Sequence, residues 1–255
     1  MTISVITVTA DGAAQLPVTM RSVAMQTWRD VEHIVVDGCS RDATADIVAR
    51  FPGTRFVERE RLGLYDAINH GFHCATGDVI GMVHCGDALA SPDVLEAVAK
   101  AFESDSSLDF VYGDLRYVTP GSRRRMRVYH AGRFEPSQIL YGMTPPHPTL
   151  YIRREAALRA GDYALDYRIG ADIEMWVRLF TDKSFKFKYL PMIMVEMATG
   201  GRSTSLKGRL YINNAEKLKA LRAHGMPANP LRMAVKYWWA LRDLVLDAPI
   251  FKKHE

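Results

Sequence analysis

His33-Ile34-Val35-Val36-Asp37-Gly38-Cys39-Ser40-Arg41-Asp42 passes abruptly from apolar, β-branched residues to acidic and small ones. The first part, His33–Val36, reads as a buried strand and the rest as the loop at its carboxyl end. Ser40 or Asp42 then caps a helix predicted over Ala43–Arg50. Taken alone, Asp-Gly-x-Ser reads as a turn.

The same transition recurs on both sides. Upstream, Ile3–Thr9 is an apolar strand that ends in Ala10-Asp11, and Leu16, Met20 and Val23 give Leu16–Gln26 helical spacing. Downstream the spacing predicts a strand over Thr54–Glu58, a helix over Tyr65–Ala75 and a strand over Asp78–Val83 that leads to His84-Cys85-Gly86-Asp87. A helix over Pro92–Phe102, with Ser91 at the cap, and a strand over Leu108–Tyr112 complete this half. Strands and helices alternating over short connections predict an α/β fold with a mostly parallel, Rossmann-like sheet flanked by helices. Such sheets bind ligands at the carboxyl ends of their strands. Three acidic strand ends would share that crevice. Crowded carboxylates raise one another's pKa unless a cation or ligand donors offset the charge, so a divalent metal is the economical expectation.

The second half is less regular. Leu115–Val118 and Met126–Tyr129 predict an antiparallel pair with Arg123-Arg124-Arg125 at its turn. Residues 141–148 read as a proline-rich loop, Asp172–Phe180 as a helix, and Phe185–Leu190 and Ile193–Met197 as two strands. Ser205–Ala223 and Leu231–Leu246 read as helices separated by Pro227 and Pro230. The expected division is a donor-binding half over 1–113, an acceptor-side and catalytic region of the same domain over 114–204, and a helical, basic extension over 205–255.

With 255 residues, 48% of them hydrophobic, the chain can bury a real core. A net charge of +4 gives no reason to expect a nucleic-acid partner. The three cysteines, Cys39, Cys74 and Cys85, form no disulfide framework, and a cytoplasmic location is expected. No run reaches about 18 uninterrupted apolar residues, so no membrane-spanning helix is expected. The motifs of dinucleotide-binding and P-loop enzymes are missing: there is no Gly-x-Gly-x-x-Gly after the first strand and no Gly-x-x-x-x-Gly-Lys-Ser/Thr.

Several segments together carry a resemblance. They are Ser4–Thr9, Ile34–Thr44, Gly63-Leu64-Tyr65-Asp66-Ala67-Ile68-Asn69-His70-Gly71, Ala75–Asp78, Gly86-Asp87, Tyr112-Gly113-Asp114, His147-Pro148, Ala171-Asp172 and Gly200-Gly201-Arg202-Ser203. Over residues 2–203 the chain resembles the family 2 glycosyltransferases of the GT-A fold, in particular the branch that builds bacterial exopolysaccharides, colanic acid and glycolipids. The resemblance implies an inverting transferase that moves a sugar from a UDP- or GDP-sugar to a saccharide acceptor, commonly lipid-linked. By position it places Thr9, Asp11, Asp37, Gly38, Asp66 and Asn69 at the donor, and Asp87 at the metal, Mg²⁺ or Mn²⁺. It places Asp172 at the catalytic base, with Glu174 as the fallback, and His147 on the acceptor side.

Some positions depart from the family's pattern. The metal motif has one carboxylate fewer, with Gly86 before Asp87, and His84 either supplies a ligand or packs. Arg61 stands where a donor-side acid is usual, and Pro148 follows His147 in place of glutamine. Asp172 also opens a helix, a setting expected to lower its pKa and keep it ionised. At the carboxyl end, residues 205–255 hold ten Lys/Arg against four Asp/Glu. Leu231, Val235, Trp238, Leu241 and Val245 share one helical face. That face suits either an anionic inner-membrane surface, as in a peripheral protein, or packing on the domain or a second copy in a homodimer. The alternative to an enzyme is a non-catalytic nucleotide-sugar-binding protein that retains the fold.

Overall fold

A computed structural model of the chain describes residues 1–60, 63–200 and 213–233. Arg61, Arg202-Ser203 and most of the 231–246 segment lie outside the described residues. The amino-terminal alternation is present. Strands β1 (Ile3–Thr9), β2 (Val31–Asp37), β3 (Arg55–Glu58) and β4 (Val79–Met82) alternate with helices α1 (Leu16–Ala24), α2 (Thr44–Val48) and α3 (Leu64–Cys74). The four strands pair in parallel in the order β3-β2-β1-β4. Nearly every residue of β1 is buried because helices cover both faces of the sheet, which is why it reads as an unbroken apolar run.

Past β4, toward the expected acceptor-side region, the sheet is mixed. The further elements are β5 (Ala88–Leu89), α4 (Val94–Ser104), β6 (Phe110–Val118), β7 (Arg125–Tyr129), β8 (Tyr151–Arg153), α5 (Arg154–Ala160), α6 (Ala171–Thr181), β9 (Phe187–Ala198) and α7 (Asn213–Ala223). Strand β8 lies between β4 and β6, antiparallel to both. Strand β9 runs parallel to β6 on its other side, and β5 pairs antiparallel with β9. The 3-residue β8 is too short to carry a period-two pattern, so the sequence reading missed it.

Three expectations are corrected. Leu108–Tyr112 and Leu115–Val118 are not two strands but belong to one, β6. Phe185–Leu190 and Ile193–Met197 likewise join in β9, whose register shifts opposite Gly113 and Asp114. A bulge absorbs Pro191, which has no N–H to give to the ladder. Helix α4 begins at Val94, two residues after Pro92, because Ser91 donates to Asp93 in a turn ahead of it.

One face of the sheet packs against α3 and α6 through Ile6, Ile34, Ile68 and Trp176, and Ala220, Leu221 and Met233 join that layer. Part of the expected extension therefore belongs to the core. The other face packs against α4 through Val5, Val94, Val98 and Phe102. Where β4 meets β8, Gly81 lies against the buried Tyr151 ring, and a Cβ there would fall 2.2 Å from Cε1. Gly81→Ala forces that ring off its rotamer. The expected result is a loss of about 1–3 kcal/mol in urea unfolding, with the m-value unchanged.

Candidate active site

The carboxyl ends of β1 and β2 lie side by side, with Thr9 in register with Asp37. The Gly38 N–H donates to the Thr9 carbonyl at 2.8 Å. Asp37 is buried, and its carboxylate accepts the Ser40 N–H at 2.7 Å and the Ser40 hydroxyl at 2.5 Å. The Ser40 oxygen in turn accepts the Asp11 N–H at 2.7 Å, and the Asp11 carboxylate accepts the Arg41 N–H at 2.9 Å. Asp42 accepts the Ala13 N–H at 2.9 Å and the Thr44 N–H at 3.0 Å, so it both starts α2 and ties the two loops together. The Thr44 hydroxyl and these N–H groups hold its carboxyl below the usual carboxylate range.

These loops enclose a cavity of about 410 Å³ lined by Asp11, Gly38, Cys39, Arg41 and Glu60. Two of those residues are non-glycines in the left-handed region, Asp11 at φ 50° and Cys39 at φ 53°. Such conformations cost on the order of 1–2 kcal/mol each, and the reciprocal loop bonds hold them in place. Ligands of α/β sheets bind in concave crevices of this kind at the strand ends.

Asp66, in the first turn of α3, is turned toward Arg59. The guanidinium makes two bonds to its carboxylate, at 3.0 and 3.1 Å. The Arg59 N–H donates to the Asp37 carbonyl at 2.8 Å. Asp66 therefore fixes the end of β3 against the pocket, and Arg59 holds its carboxyl below the usual range. Asn69 is buried, and its amide accepts the Tyr163 N–H at 2.8 Å and donates to the Tyr163 carbonyl at 2.9 Å. It clamps the backbone of the 161–170 loop. Nothing local in the sequence marked Ser40, Arg59 or Tyr163 for these roles.

Asp87 lies at the end of the loop after β4. Burial pushes its carboxyl up to about 7, against an N–H from Ala198 and the nearby Arg123 charge. One oxygen accepts the Ala198 N–H at 3.0 Å. Arg123, at φ 50° in the β6–β7 turn, donates to the Gly86 carbonyl at 3.1 Å and to the Glu196 carboxylate at 3.3 Å. Thr19 of α1 donates to the Asp87 carbonyl at 2.7 Å and accepts the Gly86 N–H at 3.0 Å. No group of three or more His, Cys, Asp or Glu that could hold a metal occurs among the described residues. Asp87 is the carboxylate that could anchor a Mg²⁺ or Mn²⁺ here, and phosphate and water would have to supply its other ligands.

The His84 ring stacks on His147 at 6.5 Å, and burial lowers them to about 4 and about 3, so both rings are neutral. His147 Nε2 is 2.8 Å from the Tyr163 hydroxyl. His147 is thus buried, with its ring bonded to Tyr163. The Glu174 carboxylate is bonded to Arg178 at 2.7 Å and to His224 at 2.7 Å.

Asp172 stands at the start of α6. Its carboxylate accepts the Ile173 N–H at 2.8 Å. The expected lowering of its pKa does not occur. Burial outweighs the helix N–H and pushes the group up to about 6. Helix α3 links this carboxylate to the pocket. Asp66 faces Arg59 at the pocket wall, while the hydroxyl of its neighbour Tyr65 donates to the Ile169 carbonyl just before α6.

The family model of glycosyl transferase family 2 matches residues 4–164, and the chain belongs to that family. A PGL/p-HBAD biosynthesis glycosyltransferase of Mycobacterium bovis is 30% identical over 215 residues, covering 82% of each chain. An uncharacterized glycosyltransferase of Mycobacterium tuberculosis is 32% identical over 69% of this chain and 68% of its own. Among solved structures, S. aureus TarS 1-349 in complex with UDP-GlcNAc superposes with a TM-score of 0.67 at 18% identity, over 88% of this chain and 65% of that one. The mannosyltransferase PcManGT from Pyrobaculum calidifontis, in complex with GDP-Man and Mn²⁺, superposes with a TM-score of 0.59 at 18% identity, over 97% and 81%. Both share the fold.

Proposed function

We propose that this glycosyltransferase moves a sugar, with inversion, from a UDP- or GDP-sugar to a lipid-linked saccharide in surface polysaccharide or glycolipid synthesis. The observation that carries the reading is the Asp172 carboxylate in the first turn of α6, which accepts the Ile173 N–H and which burial pushes up to about 6. A general base works best when its pKa lies near the working pH. Asp172 takes the proton of the acceptor hydroxyl. The acceptor oxygen attacks the anomeric carbon on the face opposite the nucleotide, and the bond to the diphosphate breaks with its electron pair going to the phosphate oxygen. The pocket bounded by Asp11 and Gly38 holds the nucleoside, with Asp37 and Ser40 fixing its wall. When bound, a divalent cation anchored by Asp87 neutralises charge on the leaving diphosphate.

The mycobacterial relatives named for PGL/p-HBAD biosynthesis support a glycolipid acceptor, and the neighbours complexed with UDP-GlcNAc and GDP-Man support a nucleotide-sugar donor. No helix among the described residues is long and apolar enough to cross a membrane. The reading puts the protein at the cytoplasmic face of the membrane, and the excess of ten Lys/Arg over four Asp/Glu in residues 205–255 favours anionic lipid.

The test is a set of UDP- and GDP-sugars incubated with the protein, with and without Mn²⁺, with nucleotide release followed by chromatography. One donor is expected to be cleaved slowly, and faster with Mn²⁺. Asp87→Asn is expected to remove the gain from Mn²⁺. If no donor binds under either condition in calorimetry, the transferase reading fails.

A further inference from the structure

Helix α7 places a carboxylate against the backbone that leads into Asp172. Glu216 accepts three consecutive N–H groups: Arg168 at 2.7 Å, Ile169 at 2.9 Å and Gly170 at 2.7 Å. Charge-assisted bonds of this kind are about twice as strong as neutral ones. Gly170 immediately precedes α6, and a Cβ there would sit 3.0 Å from Glu216 Oε2 and 3.1 Å from its Cβ. The carboxylate comes this close because that residue has no side chain. On the other side, the Tyr65 hydroxyl holds the Ile169 carbonyl. The segment is therefore gripped from α3 and from α7, two residues before the carboxylate assigned as the base.

We propose that Glu216 is a positioning residue for proton abstraction, fixing the place of the Asp172 carboxylate through the Arg168–Gly170 backbone. The inference rests on the assignment of Asp172 as base. The groups that face Asp172 are Tyr65 from α3, Tyr163 from the 161–170 loop, and Lys217 and Glu216 from α7. Burial keeps both tyrosines neutral, far above their ordinary range. Lys217 favours the ionised carboxylate and Glu216 opposes it, so Glu216 also keeps Asp172 more basic. Glu174, on the same helix, is paired with Arg178 and His224.

Two substitutions separate position from charge. Glu216→Gln removes the charge and at least one backbone bond. Its kcat is expected to fall about 10- to 100-fold, with the KM for the nucleotide-sugar donor unchanged and the acid limb of the pH profile moved to lower pH. Gly170→Ala keeps the charge but displaces the carboxylate. It is expected to lower kcat without that downward movement of the acid limb, and Glu216→Asp should restore part of the rate lost in Glu216→Gln. Unchanged kcat and acid limb in Glu216→Gln would overturn the inference. So would a parallel loss of donor affinity and kcat, which marks general structural damage. Asp172→Asn, run alongside, distinguishes the two failures. If it is fully active, the base assignment fails. If it is inactive while Glu216→Gln behaves as wild type, the Glu216 inference alone fails.

Discussion

Asp172→Asn is expected to lower sugar transfer by about 10²- to 10⁴-fold, the contribution a positioned general base makes, while donor affinity stays within twofold. The amide is nearly isosteric, but it cannot take a proton from the acceptor hydroxyl. The pocket proposed for the donor is lined by residues that follow β1, β2 and β3, none of them from α6. Calorimetry with the donor, paired with an acceptor-transfer assay, separates binding from chemistry. The wild-type rate should also depend on pH. The base must be ionised to act, and burial sets its pKa at about 6, so kcat falls as the pH drops through 6. Because the folded state binds that proton more tightly than the unfolded chain does, Asp172 lowers stability above pH 6. The asparagine variant therefore should not unfold more easily at pH 7. Full transfer activity in a folded Asp172→Asn protein would remove Asp172 from the mechanism.

Trp176→Ala should lower stability by about 3–5 kcal/mol, the range for emptying a large buried aromatic site. Trp176 has no exposed surface, and its ring lies 5.9 Å from Phe110, 5.9 Å from Tyr112 and 5.3 Å from Phe180. Phe110 and Tyr112 come from the centre of the sheet, so this cluster holds α6, and Asp172 with it, against β6. The Nε1–H has no hydrogen-bond partner among the described residues. Trp176→Phe removes an unsatisfied donor along with part of the ring, and so should cost less than the alanine change. Chemical denaturation of the two variants checks the order. An alanine variant as stable as wild type would show that the cluster does not anchor the helix.

Most of the amino-terminal half could be read in the sequence because its signals are local. Buried parallel strands give apolar runs such as Ile3–Thr9, and the acidic residues after them mark the loops. Asp37 was found this way, at the end of an apolar strand, whereas Asp172 was placed only by the resemblance to the family. What could not be read depends on separation along the chain. Asn69 clamps Tyr163 across 94 positions, and Glu216 reaches Gly170 across 46. Neither pairing leaves a periodic or compositional trace. The pKa of Asp172 was misjudged for a related reason. The helix start is visible in the sequence, but the burial that outweighs it comes from packing that includes α3 and α7. Ser40, Arg59 and Thr19 are ordinary loop and helix residues until their partners are in place.

The position of β8 has a consequence for synthesis. Strands β4 and β6 are separated by fewer than 30 residues of chain, yet they do not pair. The slot between them stays open until Tyr151–Arg153 arrives, and the far edge of β6 waits for Phe187–Ala198. A nascent chain that has completed its amino-terminal strands therefore carries two uncapped apolar edges for a further stretch of translation. Unpaired edges of this kind recruit other chains. Fragments that stop near residue 113 should collect in inclusion bodies, and slow translation between 118 and 151 should raise the demand for chaperones.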